Sequence, residues 1–312
     1  MQRLTVTLET VTPLFLAGAD PRGAPELRPP SFRGLFRYWA RVVLGGVVGD
    51  HNLADLHFLE SAVFGSTDAA SPIQLRLRGA LKPERAVILP HKTGREAGQR
   101  LAFSAGQGFE LEMCMRQNHD RNIWSAARAT LELALTFGGV GLRSRRGFGT
   151  LRIQRTSDQS VPAAPITTVE DWKAYIERVC LGALVAWSEL ARSHGKGGGT
   201  LPAPPTAYPC ACRDGLIRIV TMPPKPEERS STAMHAVTHF MSVVPRDPAF
   251  GGISPRQASP LWVRPIAVDR HYTLLLVLLM PRLQPRADYP CVSRFLDSHF
   301  PGEDLIVKGW NA

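Results

Sequence analysis

The chain of 312 residues carries 37 Lys and Arg against 27 Asp and Glu and is 44% hydrophobic, which excludes general disorder and allows about two domains of ordinary size. The charge is uneven: residues 1–155 hold 21 basic and 13 acidic residues, a net +8, whereas residues 156–312 hold 16 and 14, a net +2. Met1 to Thr12 does not open a secretory signal, and the longest apolar stretch, Leu274 to Met280, is far short of the ~20 residues that span a bilayer. Five Cys in no regular framework agree with a reducing compartment, so a cytoplasmic protein without membrane contact is expected.

Residues 4–8 (Leu-Thr-Val-Thr-Leu) alternate as a strand with one buried face does. Ser31, after Pro29 and Pro30, is placed to cap a helix over Phe32 to Leu44. Leu35, Phe36, Trp39, Val42 and Val43 share its inner face, and Gly45-Gly46 is the expected stop. Alternation returns at Ile73, Leu75 and Leu77 and again at Phe109, Leu111, Met113 and Met115, with a polar, Gly-containing loop between. A second helix is predicted over Ile123 to Thr136, stopped by Gly138-Gly139, and a strand over Thr150 to Arg155. The order β-α-β-β-α-β is that of the split βαβ, or ferredoxin-like, arrangement.

Beyond a Pro-rich connector, Val161 to Pro165, a long helix over Val169 to Ser193 would bury Trp172, Ile176, Val179, Ala183 and Trp187. Gly195 to Pro209 reads as a loop. The order then repeats: strand Leu216 to Thr221, helix Ser231 to Met241, strands Leu261 to Val268 and Tyr272 to Met280, helix Tyr289 to Phe300, strand Asp304 to Lys308. The expected fold is α+β, two tandem ferredoxin-like (RRM-like) domains over residues 1–158 and 159–312, the second including the linker helix.

Of the 37 basic residues 31 are Arg, whose planar fork fits phosphate better than the point charge of Lys, although a GC-rich genome would also raise Arg. Arg33, Arg37 and Arg41 repeat every four residues and form one ridge of the first helix. No acid on that helix neutralises them, so the ridge either awaits an anion or pairs with acids from elsewhere. A second cluster, Phe137-Gly-Gly-Val-Gly-Leu-Arg-Ser-Arg-Arg-Gly-Phe-Gly149, joins glycines that allow close backbone approach to the donors Arg143, Ser144, Arg145 and Arg146. It is neither a Walker motif nor a dinucleotide fingerprint, because no Gly-Lys-Ser/Thr follows and it precedes a strand. Such a loop either cradles a phosphodiester or is an elaborate turn. Arg146 to Ile153 imitates the RNA-recognition-motif consensus, but Thr150 and Ile153 stand where stacking aromatics belong, so backbone grip is the expected mode.

Catalytic signals are sparse. The nine His are scattered outside any nucleophile or acid–base signature. Cys210, Cys212, His235 and His239 could in principle close a zinc site, but the 22 residues between the pairs fall outside finger spacing. Asp20 is expected to anchor a loop.

Several segments resemble the RAMP superfamily of CRISPR proteins and, within it, the first Cmr subunit of type III-B effector complexes. They are Thr12 to Asp20, Leu27-Arg-Pro-Pro-Ser-Phe-Arg-Gly-Leu-Phe-Arg-Tyr-Trp39, the Gly-Arg loop at 138–149, and Arg256-Gln-Ala-Ser-Pro-Leu-Trp262. The resemblance implies two ferredoxin-like domains and a non-catalytic subunit near the 3′ end of the guide RNA, with guide RNA, target RNA and other RAMP subunits as partners and no cofactor or metal. Its RNA-facing groups would be Arg22, Arg28, Ser31, Arg33, Arg37 and Arg41, with Gly139, Gly141, Arg143, Ser144, Arg145, Arg146, Gly147, Phe148 and Gly149 of the loop, and Arg256 and Ser259. There is no Gly-Gly-Asp-Asp sequence, and His119-Asp120 has no recognisable companion ligands. Two rivals stand beside this reading: an endoribonuclease of repeat RNA using His51, His57, His91 or His119, and a protein-docking module whose charges are incidental.

Overall fold

The computed structural model describes residues 2–20, 23–116, 120–157, 166–221, 232–254, 256–283 and 287–312. Its elements in chain order are β1 (Gln2–Thr10), α1 (Pro29–Val48), α2 (Leu53–Phe64), β2 (Ile73–Arg78), β3 (Pro83–Val87), β4 (Gln99–Phe103), β5 (Gly108–Met115), α3 (Arg121–Phe137) and β6 (Leu151–Thr156). There follow α4 (Val169–Ser193), β7 (Leu216–Val220), α5 (Ala233–Val243), β8 (Gly252–Ile253), β9 (Arg256–Gln257), β10 (Leu261–Val268), β11 (His271–Leu278), α6 (Tyr289–His299) and β12 (Gly302–Asp304).

The alternation that marked the first strand buries Leu4, Val6 and Leu8 of β1 on one face of an antiparallel sheet ordered β2-β5-β1-β6. The second four-stranded sheet, β10-β11-β7-β12, has the same fourth-first-third-second sequence of strands read in reverse. Two tandem ferredoxin-like units are therefore present, as the repeated element order predicted. Three insertions were not predicted, the short β8–β9 pair between α5 and β10 being one. Helix α2 lies between α1 and β2, and the β3–β4 hairpin fills what was read as a loop.

Three boundaries differ from the sequence reading. Helix α1 begins at Pro29 with Arg28 as its cap residue, so Ser31 sits in the first turn, its amide donating to the Arg28 carbonyl at 3.1 Å. Gly45 and Gly46 do not stop the helix, which continues to Val48 and ends at Gly49 with φ 83°. A Cβ on Gly45 would lie 2.4 Å from that of Cys210, so this glycine serves helix-to-chain contact instead of termination. The last strand covers Gly302–Asp304, earlier than predicted. Beyond it Asn311 turns the chain off the sheet, accepting from Val307 N at 2.7 Å and donating to the Gly215 and Leu305 carbonyls.

Polar caps explain where other helices start. The Asp120 carboxylate accepts from Asn122 N at 2.9 Å at the head of α3, and Thr168 accepts from Asp171 N at 3.1 Å at the head of α4.

The second sheet is covered on both sides, which accounts for the unbroken apolar run in β11. Leu274, Leu276 and Leu278 pack with residues of α5 and α6, while Leu275 and Val277 join the core that α1, α3 and α4 share with the first sheet. At that junction Trp262 of β10 lies 5.1 Å from Tyr38 and 5.4 Å from Trp39 of α1, between ring centroids, and its Nε1 donates to the Tyr38 hydroxyl at 3.0 Å.

Candidate nucleic-acid interface

The Arg ridge of α1 is formed as its spacing predicted, but it is not unpaired. Glu60 of α2, 1% exposed, accepts from Arg41 Nε at 2.7 Å and Nη2 at 2.9 Å and lies 2.6 Å from Arg37 Nε. Arg37 also donates to the Gly65 carbonyl at 2.8 Å, and Arg33 donates to the Ile73 carbonyl at 3.1 Å. Burial and the neighbouring Arg37 hold the Arg33 guanidinium below its usual range, whereas the bonds to Glu60 push Arg41 above it. One carboxylate pairs with two of the three guanidiniums and backbone carbonyls hold the third, so the ridge is fixed in place and keeps a net +2. Of the remaining helix-start residues, Arg28 lies 4.0 Å from Glu26, and Arg22 lies outside the described residues.

The Gly-Arg loop spends much of its hydrogen-bonding capacity on itself and on the Thr12 to Leu16 segment. Val140 N donates to Gly149 O at 3.0 Å, Leu142 N to Phe15 O at 3.0 Å, and Gly149 N to Pro13 O at 3.0 Å. The positive φ of Gly141 and Gly149 goes with closeness to backbone: a Cβ there would fall 2.2 Å from Phe15 O and 1.9 Å from Val140 O. Gly139 backs on the Phe148 carbonyl and Gly147 on Val237 of α5. Phe148 is fully buried, its ring 5.4 Å from that of Phe15, so its side chain belongs to the core and does not face the surface.

The loop's three guanidiniums part company. Arg145 turns toward the second half, donating to the Ser259 carbonyl and lying 5.2 Å and 5.1 Å from the ring centroids of Tyr38 and Trp262. Arg146 donates to the Phe250 carbonyl and lies over Phe240, and burial beside Arg143 and Arg145 pushes its pKa down to about 10. Ser144 closes the turn, its carbonyl accepting from Gly147 N at 3.4 Å. Arg143, in the left-handed region at φ 59°, makes no side-chain hydrogen bond or ion pair with any described residue.

Around Arg143 the structure gathers groups that the sequence did not connect. The His91 ring, beside the β3–β4 hairpin, is pushed below its usual pKa by burial and by the charges of Lys92, Arg143 and Arg246. Its Nδ1 is buried without a hydrogen-bond partner. Lys92 is paired with Glu96 at 3.4 Å, and Arg246 is exposed. The charges of three cations thus bear on one imidazole, an arrangement suited to an anion.

The other candidates separate. Arg256 is exposed on β9, and Ser259 is buried, its hydroxyl donating to the Leu261 carbonyl at 3.2 Å. Cys210 and Cys212 are buried thiols pushed up to about 12 and about 11 by burial, while His239 packs against the Phe300 ring at 5.6 Å. Among the described residues no group of three or more metal-ligating side chains forms. His51 and His57 are exposed, and His119 lies outside the described residues. Among the described residues no helix is long and apolar enough to cross a membrane.

Residues 7–152 match the model of the RAMP superfamily. More particularly, the chain is similar to two Cmr subunits of the CRISPR system of Pyrococcus furiosus. It is 26% identical to Cmr1-1 over 189 residues, 55% of each protein, and 28% identical to Cmr1-2 over 178 residues, 47% of this chain and 92% of that one. The match thus spans about half the length of the first relative. In three dimensions the chain is similar in fold to the crystal structure of Cmr1 from Pyrococcus furiosus in its apo form, with a TM-score of 0.69 and 20% identity over 99% of this chain and 100% of that one. A chain of the type III-B Cmr-beta complex bound to cognate target RNA, solved by cryo-EM, shares the fold with a TM-score of 0.55 and 12% identity over 95% and 98% of the two chains.

Proposed function

We propose that this protein is a non-catalytic RNA-binding subunit of a cytoplasmic type III-B CRISPR effector ribonucleoprotein. It sits near the 3′ end of the guide RNA, contacts other RAMP subunits and helps accommodate target RNA in antiviral defence. Its similarity to Cmr subunits and its fold-level likeness to a chain of a target-RNA-bound complex support this reading. The observation that carries it is the Arg143 guanidinium at the tip of the Gly-Arg loop, which makes no side-chain hydrogen bond or ion pair with a described residue, while the charges of Lys92 and Arg246 bear with it on the His91 ring. Such a group neutralises successive phosphates whatever the bases, so binding falls steeply with salt and varies little with sequence. The ridge of α1, with its net +2, is the second strip of the same grip, and Arg28 and Arg256 extend it. Arg145 and Arg146 act from behind by fixing the loop. Copurification from the native host with sequencing of the bound RNA tests the proposal: a repeat-spacer species is expected, and a preparation that carries no RNA would reject it.

One observation favours the rival endoribonuclease: the His91 ring, its pKa lowered and its buried Nδ1 without a hydrogen-bond partner, has the form of a general base under the influence of the Arg143 cation. Incubation with labelled repeat RNA separates the two. Site-specific cleavage lost in His91→Ala would favour the enzyme, and intact RNA the binding subunit.

A further inference from the structure

A cavity of about 280 Å³ lies between the two sheets, away from the loop tip, walled by β6, the end of α3, the start of α4, β10 and β11. Arg264 of β10 forms part of its wall. This side chain is 6% exposed, donates to the Gly138 carbonyl at 2.9 Å and the Leu151 carbonyl at 2.5 Å, and meets no carboxylate within ion-pair distance among the described residues. Its Nε has no partner, and burial lowers its pKa to about 10. A buried cation without a counter-charge is costly, and an anion entering the cavity would relieve that cost. Arg152 lines the same cavity; its Nη2 is paired with Glu9 at 2.8 Å and its Nε is likewise unpartnered among the described residues.

The rest of the wall is aromatic and polar. Trp172 and Tyr175 of α4 present two rings 5.8 Å apart, and Tyr272 adds a third. The Trp172 Nε1 is already spent on the Ala267 carbonyl at 2.8 Å, so this ring offers a face and not a donor. Asp269 at the β10–β11 turn supplies acceptors for ribose hydroxyls or a base amine. Ligand pockets commonly measure roughly 300–1,000 Å³, so this one, at the lower limit, has room for one nucleotide and not for a longer strand. Guanidinium groups, stackable rings and that size together select a planar base carrying a phosphate.

We propose that the cavity between the two sheets is a mononucleotide site in which Arg264 and Arg152 receive the phosphate and Trp172, Tyr175 and Tyr272 enclose the base. The occupant is a nucleoside monophosphate unit, either free or as the terminal residue of an RNA. Because Arg264 ties together Gly138 and Leu151, the two ends of the Gly-Arg loop, occupancy is felt at the loop. The site does not depend on the loop itself being an RNA contact.

Isothermal titration of the full chain with AMP tests it, using linear and circular forms of one short RNA to distinguish the sources. Saturable AMP binding is expected, lost at least tenfold in Thr167→Trp, which adds a large ring at a lining position and leaves both guanidiniums unaltered in sequence, and weakened at least tenfold in Arg264→Gln. Far-ultraviolet circular dichroism of each variant checks folding, and Thr167→Trp carries the test should Arg264→Gln unfold. Competition of AMP by linear but not circular RNA would identify an RNA end as the source. Competition by neither would identify the free nucleotide. The proposal is overturned if neither AMP nor the linear RNA shows binding that Thr167→Trp removes. Salt-dependent RNA binding by the Arg143 region is measured separately, so failure of one reading leaves the other standing.

Discussion

Replacing Arg143 by Ala removes one cation from the loop tip without breaking any side-chain bond to a described residue, which makes it the cleanest probe of the RNA interface. A cation seated on a phosphate of single-stranded RNA contributes about 0.7 to the fall of log K with log salt. Arg143→Ala should therefore flatten that slope by about 0.7, and between about 50 and 200 mM salt the variant's affinity should drop roughly 2.6-fold less than that of the parent. Arg246, exposed on its own segment, should contribute a similar share, and Lys92 less, because it is held by Glu96 at 3.4 Å. Fluorescence anisotropy with two labelled RNAs of unrelated sequence measures the slope, which should change equally for both. Arg37→Ala is the internal comparison. Its guanidinium is committed to Glu60 at 2.6 Å and the Gly65 carbonyl at 2.8 Å, so the main loss should be stability, about 1–3 kcal/mol. A slope unaltered by Arg143→Ala, or flattened more by Arg37→Ala, would refute the assignment of the phosphate grip to the loop tip.

Glu60→Gln should cost about 2–4 kcal/mol in denaturant unfolding, because it leaves two guanidiniums without the buried carboxylate that aligns them, and an unmoved midpoint would mean that the ridge is simply solvated. RNA affinity should rise as pH falls through the range of a histidine. The free His91 is held low by burial and three cations, a phosphate between them raises its pKa, and binding therefore takes up a proton. The rise should level off below the free protein's pKa and disappear in His91→Ala, and a parent affinity insensitive to pH would contradict it. Gly149→Ala should destabilise the chain by more than about 2 kcal/mol, since its φ is 64° and the new Cβ would meet Val140 O at 1.9 Å. A melting temperature within a degree of the parent's would show that the loop relaxes freely.

Both ferredoxin-like units were legible because their strands and inner helices carry unambiguous periods, down to the span of α4 from Val169 to Ser193. Helix α2 escaped notice because Leu53, Phe58, Leu59, Val63 and Phe64 do not keep to one face, and Leu53 and Phe58 remain exposed. The β3–β4 hairpin escaped because Pro-Glu-Arg-Ala-Val and Gln-Arg-Leu-Ala-Phe are short, polar and half exposed. The candidate site was legible in composition but not in partnership. The ridge could be drawn from its four-residue spacing, yet its counter-ion sits on the helix that was missed. Lys92 follows His91 in the chain, but Arg143 and Arg246 come from distant segments, and only tertiary folding brings their charges to bear on that ring. The Gly-Arg loop could be singled out from its composition, but Arg145 and Arg146 turn toward Ser259 and Phe250 because tying the loop to the second half requires donors there.

The run of rings from Tyr38 and Trp39 through Trp262 and Phe137 to Trp310 crosses from one ferredoxin-like unit to the other, and Arg145 and Arg264 bond to backbone carbonyls across the same junction. A seam of water is what lets neighbouring lobes hinge, and here side chains of both lobes melt or persist together. The chain is accordingly expected to unfold in a single cooperative transition and to meet its partners as a rigid wedge, with the separation between ridge and loop tip set at folding instead of adjusted during assembly.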